Sequence, residues 1–207
     1  MIDVTNFLYQ NDLPDKFKFS SIVAVDCETM GLNHHRDRLC VVQISTGDGN
    51  AHVVQIEQDQ KSATNLTSML IDKNILKLFH FGRFDIASLL LKFNVLTKPV
   101  YCTKIASRLA RTNTDKHGLK DLCRTLLSID ISKLQQSSDW GTKVLSEDQV
   151  NYAATDVIYL HKIKAHLDAQ LSREGRDALA QGCFDFLPHR ARLDIAGWQD
   201  VDLFAHK

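Results

Sequence analysis

The order of elements in this chain predicts an α/β domain built on a mixed sheet. Three observations carry that reading. Apolar runs joined by short turns open the chain after residue 21, strand and helix patterns then alternate, and the last third is helical.

Residues 1–21 read as a lead-in with a short strand near Phe7–Gln10 and a turn at Pro14. The first long strand is predicted over 22–28, where Ile22-Val23-Ala24-Val25 is apolar and mostly β-branched, and Gly31 marks the turn beyond it. His34-His35-Arg36-Asp37 is a polar turn, Leu39–Ser45 the next strand, and Gly47-Asp48-Gly49-Asn50 a hairpin signal that returns the chain through Ala51–Ile56. These strands form an antiparallel meander. Thr64–Ile71 reads as a helix, Ile75–Phe79 as a fourth strand and Ile86–Phe93 as a helix with a wide apolar face. Pro99–Cys102 is a short fifth strand. Thr103–Arg111 and Leu119–Leu127 are amphipathic helices, the second opened by Gly118. Ser146 with Gln149 starts a helix expected to reach Leu171.

At 207 residues the chain is long enough for one full core. Its hydrophobic fraction of 44% and charged fraction of 24% are those of a globular protein. The first twenty residues carry Asp3, Asp12, Asp15, Lys16 and Lys18, and no stretch is apolar enough for a signal peptide or a membrane span, so no membrane partner is expected. The five cysteines (Cys27, Cys40, Cys102, Cys123, Cys183) form no C-x-x-C pair, which points to free thiols in a reducing cytoplasm. Formal net charge is zero, which argues against a non-specific grip on long nucleic acid. Basic residues nevertheless concentrate between Lys98 and Arg124 (Lys98, Lys104, Arg108, Arg111, Lys116, Lys120, Arg124), either as a solvated helical face or as a patch for a small anionic substrate.

Candidate chemistry begins at the end of the first long strand. Strand side chains alternate faces, so Asp26 and Glu28 point the same way and Cys27 points opposite. Two adjacent carboxylates repel unless a cation lies between them, and oxygen ligands suit a hard divalent metal. Asp85 stands where the fourth strand passes into a helix, a position that also fits a helix N-cap. Tyr152 and Asp156 are four apart, on one face of a helix. His80 and Arg83 are candidate phosphate or sugar contacts, or equally a packed histidine and a solvated arginine, and Gln136, Ser138 and Trp140 are candidate pocket-lining residues, with Trp140 also fitting a core anchor. His161 and His166 are spaced five apart, wrong for a metal pair on one helix face, and read as surface.

Taken together, Asp26-x-Glu28, His80-x-x-x-Phe84-Asp85 and Tyr152-x-x-x-Asp156 resemble, in order, the three exonuclease motifs of the DEDD superfamily. Ser138-Asp139-Trp140, Leu145-Ser146, Gln149 and Tyr152-Ala153 resemble the approach to the third motif in ribonuclease D. The histidine subclass would place its histidine where Asn151 stands, so the resemblance is to the tyrosine subclass. It covers roughly residues 20–170. It implies a ribonuclease H-like fold, an exonuclease domain over 1–175, and hydrolysis from the 3′ end that releases nucleoside 5′-monophosphates.

The implied cofactors are two Mg²⁺ or Mn²⁺ ions about 3.5–4 Å apart. Asp26, Glu28 and Asp156 would hold the first ion, and Asp26 would bridge to the second with Asp85 contributing. Tyr152 would orient the attacking water. Met30-Gly31-Leu32 resembles the segment that receives the 3′-terminal nucleotide, with Leu32 a wedge between bases. Ribonuclease D proper continues into helical HRDC domains, and Lys143-Val144 stands where an Arg-Pro is common. The shorter form resembles the nanoRNase C family, which implies short RNA, probably dinucleotides, as substrate and a ring-shaped homo-octamer. The apolar residues of the 176–207 extension (Phe184, Phe186, Leu187, Ile195, Trp198, Val201, Leu203, Phe204) fit either a helix packed on its own domain or a subunit contact.

Three rival readings stand beside this one. A nucleic-acid module without activity usually lacks a metal carboxylate, and all four are present. A dinucleotide oxidoreductase needs a G-x-G-x-x-G after a strand, which the sequence lacks. A general exonuclease on longer RNA or single-stranded DNA carries the same metal motifs and stays open.

Overall fold

The structure, a computed structural model, describes residues 5–206 apart from 133. The meander forms as the sequence predicts. Strand β2 (Ile22–Thr29) pairs antiparallel with β3 (Leu39–Ser45), and β3 with β4 (Ala51–Gln55). The lead-in supplies β1 (Asn6–Gln10), which adds to β4 in parallel. On the other side of β2 lie two parallel strands, β5 (Leu76–Phe79) and β6 (Val100–Cys102). The sheet order is therefore β1-β4-β3-β2-β5-β6, a mixed sheet with β2 near its middle. Every residue of β3 and β4 is buried, as a strand covered on both faces requires.

Helices α1 (Thr64–Ile71), α2 (Arg83–Phe93), α3 (Thr103–Ala110) and α4 (Leu119–Leu127) follow the expected order. The helix expected from Ser146 to Leu171 is two: α5 (Glu147–Ile158) and α6 (Leu160–Arg173), meeting at Tyr159, which caps both at a φ of −94° and a ψ of −12°. The break lets α5 bury Ala153, Ala154 and Val157 while α6 turns Leu160, Ile163, Leu167 and Leu171 inward. The start of α5 is a capping box, with Ser146 Oγ accepting from the Gln149 N–H and Gln149 Oε1 from the Ser146 N–H. Beyond α6, α7 (Asp177–Leu193) runs through Pro188 and ends in a π-type turn at Asp194–Trp198. Its Ala180, Phe184, Leu187 and Ala191 belong to the main core. His161, expected on the surface, is half-buried and bonds the Ile22 carbonyl through Nε2 at 3.1 Å.

Two apolar clusters flank the sheet. The larger joins β2, β5 and the helices. The smaller holds Cys40, Val41, Val53, Trp140, Leu145 and Ala153, with Tyr152 packed on it. Lys77 is fully buried on β5, and its Nζ donates to the carbonyls of Asp72, Ile75 and Lys98, each at 2.7 Å. Burial pulls this ammonium down to about 8. The nearby Asp72 carboxylate opposes that pull, because its negative charge favours the ammonium. Among the described residues no helix is long and apolar enough to cross a membrane.

Candidate active site

The site lies at the carboxyl ends of the neighbouring parallel strands β2 and β5, where loops leave an open sheet. Asp26 and Glu28 share one face of β2, and the pairing with β3 shifts register just after Glu28. Asp156 comes from α5, one turn beyond Tyr152. Carboxylate oxygens of Asp26, Glu28 and Asp156 lie within 4.8 Å of one another. Asp85 is not an N-cap. It sits inside the first turn of α2, is 4% exposed, and faces the N–H groups of its own residue and of Cys27. A cavity of about 660 Å³ opens over all of these groups.

The electrostatics follow from crowding carboxylates out of water. Burial first, then the charges of Asp85, Asp156 and Glu28, hold Asp26 well above the carboxylate range. Burial with Asp156 and Asp85 pushes Glu28 up to about 9. Asp85 rises to about 8, mainly through burial. Such a cluster retains protons unless a cation compensates it. Three carboxylates whose oxygens lie within 4.8 Å of one another are the donor set a hard divalent ion prefers, so the residues fit Mg²⁺ or Mn²⁺.

The Tyr152 hydroxyl is bonded to Asp156, and its pKa is raised by burial and then by Asp156, Glu28 and Asp26. It is therefore a neutral phenol at physiological pH. Trp140 is 3% exposed and packs on Tyr152 with ring centroids 6.0 Å apart, so it forms a wall behind the site. Gln149 Nε2 reaches Ser138 Oγ at 3.1 Å and the Asp139 carbonyl at 2.9 Å, fixing the loop that carries Ser138 and Trp140. Met30, Gly31, Leu32, Gln136 and Ser138 border the cavity, with Leu32 86% exposed. A side chain at Gly31 would run into the Asp37 carboxylate, so glycine lets this turn close without displacing Asp37. His80 also lines the cavity. Its Nδ1 lies 2.8 Å from Thr103 Oγ1, which itself donates to the Phe79 carbonyl. That chain makes Nδ1 a protonated nitrogen that donates to Thr103 Oγ1.

Arg83 requires a correction. It does not line the cavity; its guanidinium pairs with buried Asp194 and donates to the Gln199 carbonyl at 2.6 Å, tying α2 to the C-terminal segment. The basic side chains that border the cavity among the described residues, besides His80, are Lys104 and Lys120. They belong to the basic stretch singled out in the sequence, but only the fold separates them from their neighbours there. Gln43 was missed. It faces Asp26 across the β2–β3 pairing and donates to Asp26 Oδ2 at 2.6 Å. A glutamine inside an otherwise apolar strand was the available signal.

Residues 9–172 match the family model described as 3′-5′ exonuclease. The chain is 33% identical to ribonuclease D of Acidiphilium cryptum over 164 residues, which are 79% of this chain and 41% of that protein. It thus spans about two fifths of the length of that curated relative. It is also similar to the solved structure of Brucella melitensis NrnC, with 56% identity, a TM-score of 0.95, and coverage of 98% of this chain and 99% of that one. The Brucella protein has also been solved with bound Mg²⁺ (55% identity, TM-score 0.93, 98% and 100% covered) and bound to pGG (55%, 0.95, 99% and 100%).

Proposed function

Because this chain belongs to the 3′-5′ exonuclease family, we propose that it is a metal-dependent exoribonuclease that hydrolyses short RNA, chiefly dinucleotides, from the 3′ end to nucleoside 5′-monophosphates. The observation that carries this reading is the cluster of Asp26, Glu28 and Asp156 beneath a cavity bordered by Leu32, His80 and Lys104. The likeness to the Brucella protein, solved with Mg²⁺ and with pGG, supports the metal and the substrate size.

Asp26, Glu28 and Asp156 would hold the metal, with Asp85 completing the set and Gln43 orienting Asp26. Divalent metal bound there supplies activation of the attacking water and neutralises charge developing on the leaving 3′-oxygen. Tyr152, a neutral phenol anchored on Asp156, orients that water rather than deprotonating it. His80, at the cavity wall, contacts the sugar. Leu32, exposed on the turn after β2, separates the two bases, and Met30 and Gly31 receive the 3′ nucleotide. Lys104 and Lys120 face the 5′-phosphate, a role that Arg83, held by Asp194, does not take.

In this reading residues 1–175 are the exonuclease domain and 176–207 an extension. The exposed Trp198, Val201, Leu203 and Phe204 of that extension offer a face to further copies of the chain, up to the octamer. The five free cysteines, four of them buried, support a cytoplasmic enzyme. A time course on 5′-phosphorylated RNAs of two to seven nucleotides tests substrate length. Dinucleotides cleaved fastest, and more slowly without the 5′-phosphate, are expected. Equal rates across the series, or equal cleavage of single-stranded DNA, would make this a general exonuclease of the ribonuclease D type.

A further inference from the structure

We infer that Phe81 is a stacking platform for the base of the 5′ nucleotide and sets the enzyme's dependence on that base; the inference rests on the exoribonuclease reading above. Phe81 follows His80 at the end of β5 and has a φ of +67°, the left-handed region. Glycine or asparagine enters that region readily, whereas a bulky aromatic there is an outlier that persists only where its surroundings hold it. Here they do. A side chain on Gly82 would meet Phe79 Cβ at 2.6 Å, so the backbone is pressed onto the end of β5. The Phe84 N–H donates to the Phe81 carbonyl at 3.2 Å, and the N–H groups of Gly82 and Phe81 point at the buried Cys102 sulfur.

Core packing does not explain the ring, which is 45% exposed. It borders both the catalytic cavity and the neighbouring groove along the C-terminal segment, so it stands at the rim and not on the acidic floor. An enzyme that removes nucleotides from the 3′ end takes the terminal nucleotide deepest, and the 5′ side leaves through the mouth. The side of the rim that opens toward that groove, away from Met30, therefore meets the 5′ base. Lys104 Nζ lies 4.4 Å from the ring centroid on one face, leaving the other for a base and placing a positive charge beside the phosphate that the base carries. Stacking on an aromatic ring accepts any base, because every base has a π-face.

The test compares the dinucleotide pGpG with an analogue whose 5′ nucleotide keeps ribose and phosphate but lacks the base. Three proteins are used: native, Phe81→Asn, which suits the left-handed backbone without a ring, and Phe81→Tyr, which keeps one. Native protein should show a KM about 10-fold or more lower for pGpG than for the abasic analogue. In Phe81→Asn the KM for pGpG should rise most of the way to the abasic value, the contact of Leu32 with the base keeping the remainder, with the abasic KM the same as in native protein. Phe81→Tyr should restore the discrimination. If Phe81→Asn raises both KM values by the same factor, or native protein does not discriminate, the stacking role is wrong. If native protein hydrolyses no RNA dinucleotide at all, the functional reading itself fails, a separate outcome.

Discussion

The floor of the cavity and its rim are made of different material. On the floor, Asp26 and Glu28 stand on a central strand, Asp85 on the first turn of α2 and Asp156 on α5, all fixed by regular hydrogen bonding and two apolar clusters. At the rim, Met30, Leu32 and Phe81 sit on turns, with exposures of 53%, 86% and 45%. Oxygen ligands must converge to within fractions of an ångström, so they belong on elements that cannot move. Apolar contacts with a base tolerate looser placement, and an exposed turn suffices. The floor should therefore govern turnover and the rim should govern affinity.

A graded series of variants tests that division. Asp26→Asn, Glu28→Gln or Asp156→Asn should each lower kcat by about 10³-fold with the fold retained by circular dichroism, since each removes a ligand from the cluster. Tyr152→Phe, which loses one orienting hydroxyl, should cost about 10²-fold in kcat. Leu32→Ala should leave kcat nearly intact and raise KM several-fold. Its effect on stability should stay within about 0.5 kcal/mol, as for other exposed positions. A Leu32 variant that lowers kcat as far as Tyr152→Phe would erase the distinction.

A smaller effect belongs to the floor alone. Glu28 and Asp85 ordinarily titrate at 4.5 and 3.8, but in the fold they rise to about 9 and about 8. The folded state thus binds these protons more tightly than the unfolded chain. Their contribution to stability is complete below about pH 4 and is lost as pH rises through 8 to 9. In EDTA the thermal midpoint should therefore fall by about 5 °C between pH 5 and pH 9. Added Mg²⁺ should raise the midpoint more at pH 9 than at pH 5. An equal rise at both would show that the cluster does not take the metal.

The same contrast explains what the sequence could reveal. Asp26 with Glu28, and Tyr152 with Asp156, were legible as pairs because each lies within a single element whose period fixes the geometry. The meander was legible from apolar runs and hairpin chemistry, and the mixed sheet appears as expected. Contacts between distant segments were not. Arg83 and Asp85 are only two residues apart on α2, yet Asp85 faces the cavity while Arg83 meets Asp194 beyond α7. No local pattern near Arg83 indicates that partner. Gln43 depends on strand register and Lys104 on where α3 leaves β6. Phe81 reads as one more apolar residue until its backbone conformation is known.

The central claim is that the acidic floor performs metal-dependent hydrolysis of short RNA. Its most direct test follows release of GMP from pGpG by purified protein in Mg²⁺, after EDTA, and after Mg²⁺ is restored in excess. Steady GMP formation should stop with the chelator and resume with the metal, and Asp26→Asn in Mg²⁺ should form GMP at only about a thousandth of the native rate. GMP formation at the same rate in EDTA as in Mg²⁺ would contradict the claim.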